Sequence, residues 1–424
     1  MQLSPDITDL SCPEQGKGSV ITSQLRLSGT NLERAADHNQ RVTLHAIRVN
    51  GEITRVDLAR ITGLTPPSIA NITKRLLSDG LIKEAGQRRG GRGQPATRLV
   101  INKHACFSIG VNIDRDHITL VIVNFAGEVV ASASRDMDFP MPGDARALYA
   151  DSIERLVAEA GISPALLVGV GVAKPDDFGL VDLPGRPQGF DCWEKTDIAA
   201  LFALPYSLPV FIENDAAGAA MGEQQLGHGL MASSFFYILV SSGLGGGLVV
   251  DGTYFRGADG RSGEIGFMLS REGQGGGDQI QSLVSLSGLK RELAKAGLSV
   301  ADMRNVDDVP AGLAEVRDGW VNRAAEQLVE PLVAVNCLIN PAAVIIGGRL
   351  PAAWVDQMAE RLNLLLDAKR HQMPAVAPVL RARLAEDAPA VGAAVLPFSY
   401  FLLPKATALW SNTAENSAMQ GTVA

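Results

Sequence analysis

Residues 54–101, TRVDLARITGLTPPSIANITKRLLSDGLIKEAGQRRGGRGQPATRLVI, are so tightly punctuated that few folds accept them. Thr54 can cap a short helix, RVDLARITG, with Val56, Leu58, Ala59 and Ile61 inward. Gly63 makes a turn, because glycine enters left-handed backbone without a side-chain clash. Thr65 is a second cap, and Pro66 suits the first helical position, where its missing N–H has no partner to lose. Ile69, Ile72, Leu76 and Leu77 recur at helical spacing until Ser78-Asp79-Gly80 ends the run. Residues 81–84 and 97–101 read as strands flanking a basic, glycine-rich loop, QRRGGRGQPA. Upstream, Val42, Leu44, Ile47 and Val49 mark one more helix, ended at Gly51. Three helices followed by a hairpin is the order of a winged helix-turn-helix.

The chemistry of this segment points to nucleic acid. A recognition helix needs an outward polar face that reaches base edges. Ser68, Asn71 and Lys74 share such a face, opposite the apolar stripe, with Thr65 and Arg75 beside it. Asn pairs with adenine through two hydrogen bonds, and Lys reaches guanine or phosphate. Arg88, Arg89 and Arg92 stand among glycines in the loop, as insertion into a narrow minor groove requires. Charge follows the same division. The whole chain carries −8, which alone argues against a polyanionic partner. Residues 38–104, however, hold 12 of the 38 basic residues and only 4 of the 46 acidic ones. That segment is net +8, and the remainder is net −16. A small basic module joined to a large acidic one is the signature of a DNA-binding piece on a larger body.

Several classes are excluded. Cys12, Cys106, Cys192 and Cys337 are isolated, with no CxxC pair, so neither a zinc ribbon nor a disulfide framework is expected, and a reducing cytoplasm fits. The first residues, MQLSPDITDLSCPEQ, lack the pattern of a signal peptide, and no apolar run approaches a membrane span. Residues 1–36 and 404–424 are polar and are expected to be flexible tails around a DNA-binding domain at 37–103 and a larger domain at 104–403. The larger domain alternates strand-like runs (107–113, 118–123, 167–172, 210–212, 235–240, 247–250, 343–346) with helical ones (145–160, 215–226, 282–296, 321–338, 351–367), the pattern of an α/β fold in two lobes.

At this level the motifs become recognisable. The run TRVDLARITGLTPPSIANITKRLLSDGLIK with its GRGQP wing resembles the pattern SRVDLARxTGLSxxTVSxIxxxLxxxGLV and a GRxP wing. That pattern belongs to the repressor branch of the ROK family, which includes xylose and N-acetylglucosamine repressors. The resemblance covers about residues 38–400 and implies an actin-like, two-lobed ATPase fold with a cleft between the lobes. Family kinases grip ATP phosphates with Asp-Ile-Gly-Gly-Thr-Lys, where this chain has Asn112-Ile113-Asp114-Arg115-Asp116-His117. Both glycines are lost, and two carboxylates face any triphosphate. The family's Glu-Asn-Asp-Ala-Asn segment, whose Asp acts as general base on the sugar, is Glu213-Asn214-Asp215-Ala216-Ala217. Ser241-Ser242-Gly243-Leu244-Gly245-Gly246-Gly247 resembles the second phosphate turn. Gly263-Glu264-Ile265-Gly266 matches a family motif, but Phe267 replaces its His. The following zinc segment has no cysteine here, and its sugar-contacting Glu is Gln281. Asp191 and Trp193 fall where the family often has an Asn and a Trp near the sugar, and Asn340-Pro341 with Gly347-Gly348 match a structural turn.

The resemblance implies a repressor of carbohydrate-metabolism genes, a homo-oligomer, expected as a dimer, on a palindromic DNA operator. A sugar-like effector would bind Asn214, Asp215, Glu264, Phe267 and Gln281. No catalysis, cofactor, metal or membrane is expected. Two alternatives remain: a sugar kinase with an accessory DNA module, supported by Asp215 and the glycine-rich turn, and a regulator with a non-sugar effector or none, suggested by Ala217, Phe267 and Gln281.

Overall fold

The computed structural model describes residues 32–88, 96–180, 186–270, 279–304, 310–384 and 387–404. Arg89 and Arg92 lie outside these, as do residues 1–31 and 405–424 of the two expected tails.

The N-terminal module comprises α1 (Leu32–Asn50), β1 (Ile53–Thr54), α2 (Arg55–Thr62), α3 (Pro66–Ser78), β2 (Ile82–Arg88) and β3 (Ala96–Ile101). Its sheet runs β1-β3-β2. The caps form as the sequence demands: Asp57 N donates to Thr54 Oγ1 at 3.2 Å and Ser68 N to Thr65 Oγ1 at 3.4 Å. Gly63 takes φ 68° between the helices. Two expectations need correction. The first helix starts at Leu32, inside the segment read as a tail. Val56 and Ile61 are exposed, at 75% and 47%, rather than inward. Val56 lies two positions, about 200° of helical rotation, from the buried Leu58. In this helix Leu58 is the buried residue.

The first lobe holds β4 (Phe107–Asp114), β5 (His117–Asn124), β6 (Val129–Asp136), α4 (Pro142–Glu159), β7 (Leu167–Lys174), α5 (Ile198–Phe202) and β8 (Val210–Asn214). The second holds α6 (Asp215–Leu226), β9 (Phe235–Val240), β10 (Leu244–Val250), β11 (Thr253–Tyr254), α7 (Leu286–Lys295), α8 (Val300–Arg304), α9 (Leu313–Leu338), β12 (Ala343–Gly348), α10 (Ala352–Ala368) and β13 (Val379–Arg381). The last helix, α11 (Ala388–Phe401), returns to the first lobe. The two sheets have the same plan, an antiparallel meander continued by two parallel strands: β6-β5-β4-β7-β8 and β11-β10-β9-β12-β13. Strands β4, β5, β9 and β12 are buried throughout; β9 and β12 are unbroken apolar runs, while β4 and β5 also bury polar side chains such as Asn112, Asp114 and His117.

Between the sheets lie α11, packed on β4 and β7, and α6, packed on β9 and β10. Their approach is so close that glycine is obligatory. A Cβ at Gly171 would sit 1.8 Å from the Ala393 carbonyl oxygen, and one at Gly392 would sit 1.8 Å from that of Gly218. The N-terminal module rests on the first lobe. Leu44 and Ile47 share a core with Val121, Val123, Phe125, Ala394 and Phe398, and Arg41 Nη1 donates to the Tyr400 carbonyl at 2.9 Å.

Candidate functional site

The turn from β8 into α6 opens onto a cleft of about 620 Å³ between the lobes. All five expected effector residues line it: Asn214, Asp215, Glu264, Phe267 and Gln281. Asn214 caps α6, its Oδ1 accepting from Ala217 N at 3.1 Å, while its Nδ2 donates to Asp176 Oδ2 at 3.1 Å. The side chain is thereby fixed at both ends. Asp215 accepts from Ala216 N at 2.8 Å. Burial, and then the neighbouring Asp114, push its carboxyl up to about 7 against the opposing pull of Arg115. Glu264 and Asp176 are also shifted upward, mainly by burial, with Arg261 working against the shift in both. Three carboxyls around one lumen thus hold their protons more readily than free carboxyls do, and all three can accept hydrogen bonds from hydroxyls. Phe267 is half exposed at the rim, an apolar face beside the polar floor. Gln281 Nε2 donates to Gln279 Oε1.

Several cleft residues escaped the sequence reading as ligand contacts. Asp176 and Asp177 follow β7, and Arg261 reaches both from the other lobe, at 3.9 and 2.7 Å. Tyr254, Ser285, Ser287 and Arg291 complete the wall. They come from four separate stretches of chain, at 176–177, 254, 261 and 285–291, so no local spacing announces them. Conversely, Asp191 and Trp193 are not in the cleft lining. Trp193 is buried in the first lobe's core against Phe178, with its Nε1 donating to the Pro140 carbonyl at 2.9 Å.

The substituted first turn supplies partners for its two carboxylates, although Asn112 Oδ1 and Arg115 Nε are buried with no hydrogen-bond partner among the described residues. Asp114 is buried, and its Oδ2 accepts from Ser242 N at 3.3 Å, a backbone donor of the glycine-rich turn. Arg115 Nη1 lies 3.6 Å from Asp114 Oδ1 and projects beside Gly243. Asp116 accepts from His117 Nδ1 at 2.7 Å and pairs across the lobes with Lys290 at 3.4 Å and Arg349 at 3.6 Å. Burial opposes the Asp116 charge, but the His117 hydrogen bond and the cations Lys290 and Arg349 outweigh it and hold the carboxyl well below its usual range. Asp114, Asp116 and His117 bring potential metal-ligand atoms within 4.8 Å of one another. The cationic partners already compensate Asp116, so the donor set does not suit a metal ion. The segment expected to have lost zinc ligands, residues 271–278, lies outside the described residues.

On the N-terminal module, α3 presents Asn71, Lys74 and Arg75 to solvent, opposite the buried Ile69, Thr73 and Leu76. Thr65 and Ser68 are engaged with each other at the helix start, Oγ to Oγ at 2.9 Å. Of the expected wing arginines, only the backbone of Arg88 is described, as the last residue of β2.

A family model described as the ROK family matches residues 108–398. The chain belongs to the ROK family. A second model, winged helix-turn-helix DNA-binding, matches residues 37–83. Among curated relatives, the xylose repressor of Caldicellulosiruptor bescii is 26% identical over 335 residues, 73% of this chain and 83% of that protein. The xylose repressor of Bacillus subtilis is 29% identical over 234 residues, 54% of this chain and 60% of the repressor. The DNA-binding transcriptional dual regulator NagC of Escherichia coli is 26% identical over 247 residues, 56% of this chain and 58% of the regulator. A solved ROK family transcriptional regulator, a homologue of the E. coli MLC protein, superposes with a TM-score of 0.63 at 20% identity, covering 87% of this chain and 97% of that one. The winged helix and the actin-like ROK fold expected from the sequence are both present. Among the described residues, no helix is long and apolar enough to cross a membrane.

Proposed function

We propose that this ROK protein is a DNA-binding transcription regulator, a repressor of carbohydrate-metabolism genes, governed by a sugar-like ligand in the interlobe cleft. The observation that carries the reading is the fate of the phosphate site. The Asp114 carboxylate takes the Ser242 N–H that a phosphate oxygen would need, and Arg115 lies beside the glycine-rich turn as its counter-charge. A nucleotide would have to displace a buried carboxylate and its hydrogen bond, so the cleft suits binding without phosphoryl transfer. The winged helix supplies the output. Thr65, Ser68, Asn71, Lys74 and Arg75 face the major groove, and Arg88, Arg89 and Arg92 of the wing reach the minor groove. A dimer on a palindromic operator, with half-sites about one helical turn or a multiple apart, fits a module of this kind. Such a protein works in the cytoplasm.

In the cleft, Asn214, Asp215, Glu264 and Gln281 offer acceptors and donors to sugar hydroxyls, and Phe267 offers an apolar face to the ring. The names of the relatives, xylose repressor and NagC, support a carbohydrate ligand. Genome-wide footprinting of the purified chain tests the assignment: discrete palindromic sites beside carbohydrate genes are expected, and uniform binding or none would sink it. Asp215, with its carboxyl near 7, keeps the kinase reading open as a rival. A coupled assay with ATP and a panel of hexoses separates the two, because turnover that disappears in Asp215→Asn would establish the kinase.

A further inference from the structure

The N-terminal module is attached to one lobe and touched by a helix of the other. Its anchors to the first lobe are extensive. Arg41 donates to the Tyr400 carbonyl, Phe125 N donates to the Lys103 carbonyl at 3.2 Å, and Lys103 Nζ reaches Glu128 at 3.1 Å. Helix α6 lies between the lobes, packed on α11 as well as on β9 and β10, and its side chains also tie it to the second lobe. Its buried Glu223 accepts from Arg383 N at 3.1 Å and Leu384 N at 3.2 Å, just after β13. Its Gln224 donates to the Gly252 carbonyl in the β10–β11 turn. The N-terminus of α6 is the cleft itself, at Asn214 and Asp215. About 18 Å away, at its C-terminal end, Leu226 presses against the β5–β6 turn at Gly127, and Gln225 Oε1 accepts from Arg48 Nη2 on α1.

Arg48 is an unusual residue to find there. Among the described residues its Nε is buried without a hydrogen-bond partner, as is Nδ1 of the neighbouring His45. Burial pushes the guanidinium down to about 10. Among the described residues its side-chain partner is the neutral Gln225, not a carboxylate. A half-buried charge with an enclosed Nε and a neutral acceptor opposes docking, while the apolar contacts of Leu44 and Ile47 favour it. A contact balanced in this way responds to a small displacement of the helix that completes it.

We propose that the Gln225–Arg48 contact passes the interlobe angle to the DNA-binding module: α6, tied to the second lobe and rooted in the cleft, holds or releases α1, carried by the first. The proposal rests on the regulator reading above and names its route of regulation. Closure of the cleft moves α6 across the glycine contact with α11, and the far end of α6 shifts against α1. Two-state docking of α1 is the element that both sites bias. Ion pairs join the lobes at the cleft mouth, Asp177 with Arg261 and Glu213 with Arg256, and deeper in, Asp116 with Lys290 and Arg349.

The test needs neither effector nor operator. Arg261→Glu places a carboxylate beside Asp176, Asp177 and Glu264 and forces the mouth open. Amide hydrogen exchange of the full chain is then read in α1, with α4 as control. The expected result is a change of about threefold or more in α1, none in α4, and loss of the α1 response in an Arg48→Met background. An α1 unmoved by Arg261→Glu, or moved equally with Met at position 48, overturns the proposal. Gln225→Glu is an independent arm, since it supplies the missing carboxylate and should slow α1 exchange about threefold or more. Unchanged or faster exchange there also overturns it. Retention of the wild-type chain on duplex DNA is scored separately, and its failure would remove the regulator reading while leaving the exchange result standing.

Discussion

Replacing Asp215 by Asn should stabilise the protein, and by an amount that depends on pH. The Asp215 carboxyl sits at about 7 in the folded chain against an ordinary 3.8, with burial as the main cause and Asp114 second. Because the folded value is raised, the folded state prefers the protonated acid. Its contribution to stability is therefore greatest below pH 4, falls as pH rises through the interval from about 4 to about 7, and is constant above it. The full span is about 4 kcal/mol, and about 2–3 kcal/mol of it falls between pH 5 and pH 8. Asparagine is isosteric, keeps the acceptor for Ala216 N and carries no charge to desolvate. Asp215→Asn should thus gain on the wild type by about 2 kcal/mol between pH 5 and pH 8, or roughly 4–8 °C in melting temperature. Paired melts of both proteins at the two pH values measure the gap directly. A gap that stays the same at pH 5 and pH 8 would refute the reasoning, because it would show that Asp215 ionises as freely in the cleft as in water.

Asn71→Ala should cost about 1–3 kcal/mol at the protein's own operator and relax base preference at one position, as read by binding to single-base operator variants. An unchanged affinity removes Asn71 from the reading set. Arg92→Ala should weaken binding most where an A/T-rich minor groove flanks the half-site; equal loss on all sequences would make it a phosphate contact. Gly171→Ala should destabilise the first lobe by about 3 kcal/mol in urea titrations, since the new methyl would lie 1.8 Å from the Ala393 carbonyl oxygen.

Much of the N-terminal module was legible because its signals are local. Thr54, Gly63, Thr65 and Pro66 each act within a turn or two of themselves, and the structure uses them as read. Strands β9 and β12 were legible because burial on both faces leaves an unbroken apolar run, and β4 and β5 because isoleucine and valine dominate their apolar positions. Strand β6, with its small, mixed VVASASRD, was not, and neither were the two- and three-residue strands β1, β11 and β13, which exist only because a partner strand is present. In the cleft, Asn214, Asp215, Glu264, Phe267 and Gln281 were found through motif resemblance. Asp176 and Arg261 were missed because their pairing spans 85 positions of chain. Trp193 was misplaced because an aromatic near a motif looks the same in sequence whether it faces a ligand or a core.

By itself, then, the sequence determined the order of elements, the basic module on an acidic body and the altered phosphate turn, all of which depend on neighbouring residues or on residue type. The tertiary structure alone decided that Asp114 would meet Ser242 N, that Asp116 would be ringed by cations from the other lobe, and that Gln225 would meet Arg48. Those contacts join segments far apart in the chain, and their energies depend on burial and distance, which no run of letters contains.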